Sequence, residues 1–299
     1  MTSGLSFNDI YSKAQTISGD TTTATLAELK QDINVGYARF NAATSRYFTR
    51  KQKFASIVAS QQYYQVPVDT IRVTEATIAV NSNYTITLEQ VHSEHEWRRI
   101  NSFTSYTSNW PSHFWVNGDM QIGIYPTPST AITNGLRYVY QPQDVYLTKA
   151  DYTTGTVAIT AGATSVTGTS SVWTSATHKG MFLQVTDGSD GNWYEVDTVS
   201  GNTTLALVTP YAGSTVSTAT YKLGQMMMIP GEYSDIPLDY AMMRFFESRN
   251  NPERAKYHQR NFMDAIKDAS AKYASSSTSR VLTDEINVGN AWQITPTAG

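Results

Sequence analysis

The densest group of side chains that could do chemistry lies in one short stretch. His92 and His95 stand three residues apart, and Glu89, Glu94 and Glu96 surround them. Three-residue spacing on a helix places two imidazoles on one side, where they can bind a metal ion together. The HExxH pattern is absent, however, and no third ligand is nearby in the sequence. We therefore favour a solvated helix face over a metal site.

A second polar run, from Asp187 to Asn192, has the composition of a calcium-binding loop. An EF-hand loop needs a glutamate at its twelfth position and a helix on each side. This run lacks the glutamate, and the segments beside it have the pattern of strands. We interpret it as a loop between strands, and we predict neither a bound metal nor a cofactor.

A glycoside-cleaving protein would need two carboxylates at a defined separation. Glu195 and Asp197 are the only neighbouring pair of carboxylates in the Thr-rich region, residues 152–223, and strand alternation places them on one face with Trp193. Packing in the core is the default interpretation of tryptophans in β-rich segments, and a carbohydrate platform is the alternative. The tryptophans concerned are Trp110, Trp115, Trp173 and Trp193.

The composition excludes several other kinds of site. The 299 residues include no cysteine, which rules out disulfides, thiolate chemistry and Cys-based zinc sites. The phosphate-binding pattern GxxxxGK[ST] and the nucleophile elbow GxSxG are also absent. The net charge of −3 argues against a protein that must neutralise many phosphates. We therefore predict a protein that is not an enzyme and does not bind DNA specifically.

Other compositional features favour contacts between subunits. Charged residues make up 16% of the chain, and Thr, Ser, Asn, Gln and Tyr are abundant. Uncharged polar residues and Tyr suit large subunit contacts. No apolar run reaches the roughly 20 residues that span a bilayer, and the N-terminus has no signal-peptide pattern. We expect no membrane association and no classical export.

Helical patterns open and close the chain. Residues 6–18 read as a helix with a capping box formed by Ser6 and Asp9. A second helix is predicted to begin at Thr25, with Glu28 three residues on. The second helix should bury a stripe of apolar residues, namely Leu26, Leu29, Ile33, Tyr37, Phe40 and Tyr47. Near the other end, 236–249 is followed by a helix from Pro252 with Asn251 as its cap.

Between these helices the apolar period changes to that of strands. FASIVA, YYQVP, IRVTEATIAV and LRYVYQPQDVYL read as strands, whereas LEQVHSEHEWRRI reads as a helix. The segment FWVNGDMQIGIYP predicts a hairpin in which Asn117-Gly118 supplies the positive-φ turn.

A region of different character follows. Residues 152–223 show six short strands, separated by Gly, Asn, Asp and Ser turns, and no helical period. We predict an α+β fold: a helical bundle with a β-layer, an inserted small all-β sandwich or barrel, and an extended C-terminal tail. The predicted domains are a discontinuous core of 1–151 and 224–275, the insert 152–223, and the tail 276–299.

The order of these segments resembles a known family. VPVDTIRV leads to HEWRRI, then to the stretch through Ile124-Tyr125-Pro126-Thr127-Pro128, and after the insert to closing helices with Glu253-Arg254-Ala255 and Tyr257. This arrangement, over about residues 22–275, is similar to the head-to-tail adaptor, or connector, proteins of tailed bacteriophages. The insert, with Trp173 and Trp193-Tyr194-Glu195-Val196, resembles β-modules of phage neck and tail proteins.

The resemblance implies a structural role in the virion. Such adaptors form a ring, commonly a dodecamer, beneath the portal protein, and they join the phage head to a tail or nozzle protein. DNA passes through the channel of the ring. The protein would be made in the host cytoplasm and end in the phage neck. A carbohydrate-binding tail protein that uses the β insert, and a tail-tube or head-completion protein, are the alternatives.

The resemblance also implies that terminal arms grip the portal and neighbouring subunits. The tail of this chain carries apolar residues at intervals, and we expect it to become ordered on assembly by β-addition or groove docking. The residues predicted to bind the portal or a neighbouring subunit are Arg280, Val281, Leu282, Ile286, Trp292 and Ile294.

Overall fold

The computed structural model of the chain describes residues 4–81, 84–103, 106–187 and 190–273. These residues form a mixed α+β structure with six α-helices and a curled β half-barrel, which confirms the predicted α+β class. Two compact units are present, one made of Met1–Phe48 with Tyr146–Gly299 and the other of Thr49–Val145. Within the described ranges, no helix has both the length and the apolar character needed to cross a membrane.

The first unit opens with two helices, α1 (Phe7–Ser18) and α2 (Thr23–Ala43). The predicted capping box of α1 is confirmed, since Ser6 Oγ accepts from the Asp9 N–H and the Asp9 carboxylate accepts from the Ser6 N–H. The predicted start of α2 at Thr25 is wrong. Thr25 lies inside the helix, and its hydroxyl donates to Asp20 rather than capping the helix end.

The apolar stripe of α2 is largely confirmed. Leu29, Ile33, Tyr37 and Phe40 are buried. Tyr47 is not part of this stripe, because α2 ends at Ala43. Tyr47 begins a short 3₁₀ helix (Tyr47–Thr49), where its side chain is 43% exposed.

The second unit contains ten strands and one helix in its described residues. They are β1 (Lys51–Ile57), β2 (Tyr63–Gln65), β3 (Thr70–Asn81), β4 (Tyr84–Thr87), β5 (Glu89–Gln90), α3 (Glu94–Ile100), β6 (Thr107–Ser108), β7 (His113–Val116), β8 (Gln121–Tyr125), β9 (Thr127–Pro128) and β10 (Ile132–Pro142). The order in the first sheet is β1-β10-β3-β4, and the order in the second is β2-β8-β7-β5. β6 and β9 form a separate two-stranded pair.

These two four-stranded sheets share one apolar core. In the first sheet, alternate residues of β3 and β10 point inward, including Ile78, Leu136 and Tyr138. The second sheet contributes Ile122 and Ile124 of the predicted hairpin, and both are fully buried. The unit is therefore a small sandwich of two sheets.

Two local predictions in this unit are wrong. The predicted helix LEQVHSEHEWRRI is too long at its start: Leu88 and Val91 are buried but lie outside α3, because the chain is extended there and β5 pairs with β7. The turn between β7 and β8 has its positive φ at Met120 and not at Asn117-Gly118. Asn117 closes this longer turn with its own side chain, since its Oδ1 accepts from the N–H groups of Asp119 and Gln121.

The chain then returns to the first unit and forms the curled half-barrel. Its elements are β11 (Thr156–Ile159), β12 (Ser165–Thr169), α4 (Ser175–His178), β13 (Phe182–Val185), β14 (Tyr194–Gly201), β15 (Thr204–Leu207), β16 (Val216–Ala219) and β17 (Tyr221–Gly224). The strand order is β16-β11-β12-β15-β14-β13-β17. The six predicted strand segments are all found, and the last is divided at Thr220 into β16 and β17. The short helix α4 was not predicted. The domain boundaries at 152 and 223 stay a prediction.

Two helices complete the first unit after a 3₁₀ turn (Gly231–Tyr233), namely α5 (Ile236–Ser248) and α6 (Pro252–Tyr273). The Arg254 N–H donates to the Asn251 side chain, as expected for the predicted cap. Apolar residues of α1, α2 and α5 form one buried cluster that includes Ile10, Ile33 and Met242.

Candidate interaction surfaces

The half-barrel is joined to the helical part of its unit by a dense set of hydrogen bonds. Tyr152 and Leu223 exchange backbone hydrogen bonds of 2.8 Å, so the chain enters and leaves the half-barrel at one place. The Gln225 carbonyl accepts from the Phe7 N–H at 2.8 Å, and its side chain accepts from the N–H groups of Thr148 and Lys149. These bonds fix the half-barrel against the start of α1.

A polar network continues this junction. Ser6 Oγ donates to Asp151 Oδ2 at 2.8 Å, and Lys222 Nζ lies 3.3 Å from Asp9 Oδ1. Asp151 Oδ1 is buried and has no hydrogen-bond partner among the described residues. Burial raises the pKa of Asp151, and the Ser6 hydrogen bond and the Lys222 charge oppose this rise only in part. The junction therefore contains a carboxyl group that is more easily protonated in the folded protein than in the unfolded chain.

This raised pKa predicts a pH dependence of stability. The folded state binds the Asp151 proton more tightly than the unfolded state does, so the free energy of unfolding should fall as pH rises above the ordinary aspartate range. We expect Asp151→Asn to flatten this fall, as measured by urea unfolding from pH 4 to 7. Asp197→Asn, at an exposed position of β14, is the control and should follow the wild-type profile. An unchanged profile for Asp151→Asn would contradict the assignment.

A polar groove lies between α2 and α5. Its volume is about 290 Å³, and it is lined by residues that include Glu28, Asp32, Arg244 and Phe245. Burial raises the pKa of Asp32, although the Arg244 charge acts in the opposite direction. Two carboxylates, one guanidinium group and one aromatic ring are thus among the groups that line this groove.

A second groove of about 500 Å³ adjoins the first and shares Phe245 with it. An ion pair between Arg249 and Asp20 forms one wall, and the Arg249 guanidinium also lies 5.4 Å from the centre of the Phe245 ring. The pair connects the α1–α2 turn to the end of α5. It was not predicted, because the two residues are far apart in the sequence.

His258 and Asp239 form the closest histidine–carboxylate pair of this unit's described residues. His258 Nδ1 lies 2.8 Å from Asp239 Oδ1, and the imidazole stacks on the Phe246 ring with a centroid separation of 5.6 Å. Burial raises the pKa of Asp239, and the His258 hydrogen bond opposes this rise. The contacts hold α5 against α6, so the arrangement is that of a packing contact between helices.

An exposed aromatic surface lies on the second unit. The rings of Tyr84 and Trp110 are 5.6 Å apart, and their side chains are 48% and 58% exposed. Phe103 and Tyr106 are also exposed. Core packing was the predicted role of Trp110, and that prediction is wrong, because the residue lies in the turn before β7 and not on an inward strand face.

The histidine group has a different geometry from the one predicted. His92 precedes the cap residue Ser93, so it is not on the same helix as His95. Both histidines are exposed, and Glu89 makes a 3.6 Å contact with His113 instead. The described part of the chain contains no group of three or more His, Asp or Glu residues placed to hold a metal ion.

The other sequence candidates lie in the half-barrel. The Asp190 carboxylate accepts from the Tyr194 hydroxyl and from the Asn192 N–H, which is consistent with a loop between strands. Trp173 is 1% exposed and Trp193 9% exposed, so both pack inward as predicted. Trp193 is hydrogen-bonded through Nε1 to the Gly4 carbonyl at 2.9 Å, and it does not form a flat surface beside Glu195.

The predicted partner-binding residues of the tail lie outside the described residues. They are Arg280, Val281, Leu282, Ile286, Trp292 and Ile294. Their role therefore stays a prediction.

Comparison with known proteins places the chain in a family. No curated protein matches the sequence. Residues 5–159 match the family model described as SU10 adaptor protein. The match covers just over half of the 299 residues, including α1, α2, the whole second unit and the first strand of the half-barrel. The chain therefore belongs to the SU10 adaptor protein family, as its resemblance to phage head-to-tail adaptors predicted.

Proposed function

We propose that this chain is a structural, non-enzymatic protein of the virion that forms a ring joining the portal of a phage head to the tail. The family match is the observation that carries the proposal. The ring, with twelve copies as in related adaptors, lets DNA pass through its channel without specific binding. Its partners are the portal protein, a tail or nozzle protein, and further copies of itself.

Several physical features support this role. The hydrogen-bonded junction fixes the half-barrel to the helices, which suits a part that must transmit load between two larger assemblies. The exposed rings of Tyr84, Trp110 and Phe103 are residue types that are enriched at protein interfaces. The net charge of −3 is compatible with a channel that does not retain DNA.

Imaging the purified protein with and without the portal of the same phage tests the proposal. We expect rings of this protein on the portal in negative-stain micrographs. A protein that stays monomeric and does not associate with portals would contradict the proposed function.

We further propose that the tail, residues 276–299, attaches the ring to the portal or to the adjacent subunit. Deletion of 276–299 should reduce attachment of the ring to the portal at least tenfold, as measured by co-sedimentation with portal particles. Replacement of the same segment by a Gly/Ser sequence of equal length is the matched control, and it should behave like the deletion. Normal attachment of either variant would contradict this role of the tail.

The structure disfavours the carbohydrate-binding alternative. Both tryptophans of the half-barrel are buried, so they cannot stack on a sugar ring at the surface. Binding of the full-length protein to host surface glycans, but not to portals, would favour that alternative. A tail-tube or head-completion protein would differ from the present proposal only in the neighbour that it contacts.

A further inference from the structure

The sandwich of the second unit has two flanks, each formed by the outermost strands of its two sheets. β1 and β2 lie on one flank and β4 and β5 on the other, and we call these the β1 flank and the β4 flank. Each of the four strands pairs with a neighbour on one side only, as far as the described residues show. Short connections keep the two strands of each flank together. Leu88 alone joins β4 to β5. On the other flank, the N–H of Val58, directly after β1, donates to the hydroxyl of Tyr64 in β2. Unpaired edges carry N–H and C=O groups that can pair with another strand.

The direction of the strands allows one flank to extend the other. All three pairings of the first sheet are antiparallel, and the sheet has four strands. β1 and β4 therefore run in opposite directions. If a second copy continues the sheet in the same sense, its β1 lies antiparallel to β4 of the first copy. Antiparallel pairing is slightly more stable per residue than parallel pairing. A repeated contact between two different surfaces closes into a ring when the rotation between neighbouring copies is a whole fraction of a turn.

The exposed charges of the two flanks are complementary. Lys53 is exposed on the β1 flank. Glu89, whose side chain is 80% exposed, lies on the β4 flank. Two copies of β1 side by side would bring lysines together, and like charges opposite each other destabilise a strand pair. The charges thus favour a contact of the β1 flank with the β4 flank over a contact between two β1 flanks.

Helix α3 shows the same separation of acidic and basic residues between the two flanks. The Val91 N–H bonds to the Phe114 carbonyl beside β5, so the helix begins near the β4 flank. Its end lies near the β1 flank, because Asn101 accepts from the Gln62 side chain at 2.8 Å. Glu94 therefore lies toward the β4 flank, as Glu89 does, and Arg99 lies toward the β1 flank, as Lys53 does.

Both flanks also expose aromatic rings. Phe54 of β1 is 49% exposed, and the Tyr84–Trp110 pair is on the β4 flank. Large aromatic residues near the centre of an interface commonly provide most of its binding energy. A second copy that covers these rings would explain why they are exposed in a single copy.

We propose that neighbouring copies of this chain associate head to tail, with the β4 flank of one copy pairing with the β1 flank of the next. The inference rests on the proposed ring and names the surface that closes it. Each copy uses both flanks, so the first sheet continues from subunit to subunit.

Engineered cysteines test the contact without background, because the chain has no cysteine of its own. Gln52 on β1 and Thr85 on β4 are exposed, and the strand register places them on the same outer face of the sheet. We expect the Gln52→Cys/Thr85→Cys variant to give a ladder of covalent oligomers with a short thiol cross-linker, both alone and on the portal. Each single variant is a matched control and should give no ladder.

Charge reversal provides a second readout on the same surface. Lys53→Glu and Glu89→Lys should each raise the dissociation constant of the subunit contact about five- to tenfold, and the double reversal should restore most of the loss. Glu253→Lys, at an exposed position of the first unit, is the control and should have no effect. Analytical ultracentrifugation measures the constants.

The outcomes separate this inference from the proposed function. Rings that form on the portal without the cross-linked ladder would overturn the inference and leave the proposed function standing. Covalent dimers from Thr85→Cys alone would show a two-fold contact between β4 strands and would also overturn it. No rings and no ladder, alone or on the portal, would count against both.

Discussion

Trp173→Ala should lower the free energy of unfolding by about 3–5 kcal/mol, the range typical of truncating a large buried aromatic side chain. Trp173 is 1% exposed and belongs to the core of the half-barrel. Its Nε1 donates to the Tyr221 hydroxyl at 2.9 Å, and that hydroxyl donates to the Thr154 carbonyl at 2.7 Å. The substitution therefore leaves a cavity and removes the first member of a buried hydrogen-bond chain.

Tyr221→Phe separates the hydrogen bonds from the packing volume. It keeps the ring but leaves Trp173 Nε1 and the Thr154 carbonyl without a partner, which should cost about 1–3 kcal/mol. Burial raises the pKa of Tyr221 to about 12, so the hydroxyl remains a donor throughout the neutral range. Val172→Ala, at a neighbouring position that is 58% exposed, is the control and should change stability by less than about 0.5 kcal/mol.

Urea unfolding followed by circular dichroism measures these differences. A loss for Trp173→Ala no larger than that for Val172→Ala would contradict the assigned packing. If Tyr221→Phe were as damaging as Trp173→Ala, the hydrogen bonds and not the ring volume would dominate this core.

Gly36→Val should lower the free energy of unfolding by about 3 kcal/mol, because Gly36 lies where α2 approaches α5 without room for a side chain. A Cβ atom at Gly36 would lie 2.7 Å from Tyr240 Cβ and 3.2 Å from Pro237 Cα. Gly36→Ala should also destabilise the protein, by about 1–2 kcal/mol, although alanine is favoured over glycine in helices by about 1 kcal/mol.

The comparison of the two variants tests the steric explanation. Gln31→Ala, on the exposed side of the same helix, should change the melting temperature little. If Gly36→Ala were more stable than the wild type, helix propensity would outweigh the close approach and the explanation would be wrong. Differential scanning calorimetry of all three variants makes the measurement.

The features that could be predicted from the sequence depend on interactions between residues that are close together in the chain. Ser6 and Asp9 form their capping box three residues apart, and Asn251 caps the helix that Pro252 begins. The alternation around Ile122 and Ile124 predicts their burial for the same reason, since successive strand residues face opposite sides. Local patterns can also mislead. Thr25 has the spacing of a cap, but its hydroxyl donates to Asp20, and His92 precedes the helix that its spacing suggested.

The sequence by itself determined the α+β class, the strand segments of the half-barrel and the likeness to phage adaptors, because these depend on local periodicity and on the order of segments. Only the tertiary structure decided which tryptophan is exposed and which is buried, as Trp110 and Trp173 show. It also decided that Ser6 meets Asp151, 145 residues away, and that β1 and β4 are edges of one sheet. Such features depend on which distant segments become neighbours after folding, and short-range sequence patterns contain no information about those contacts.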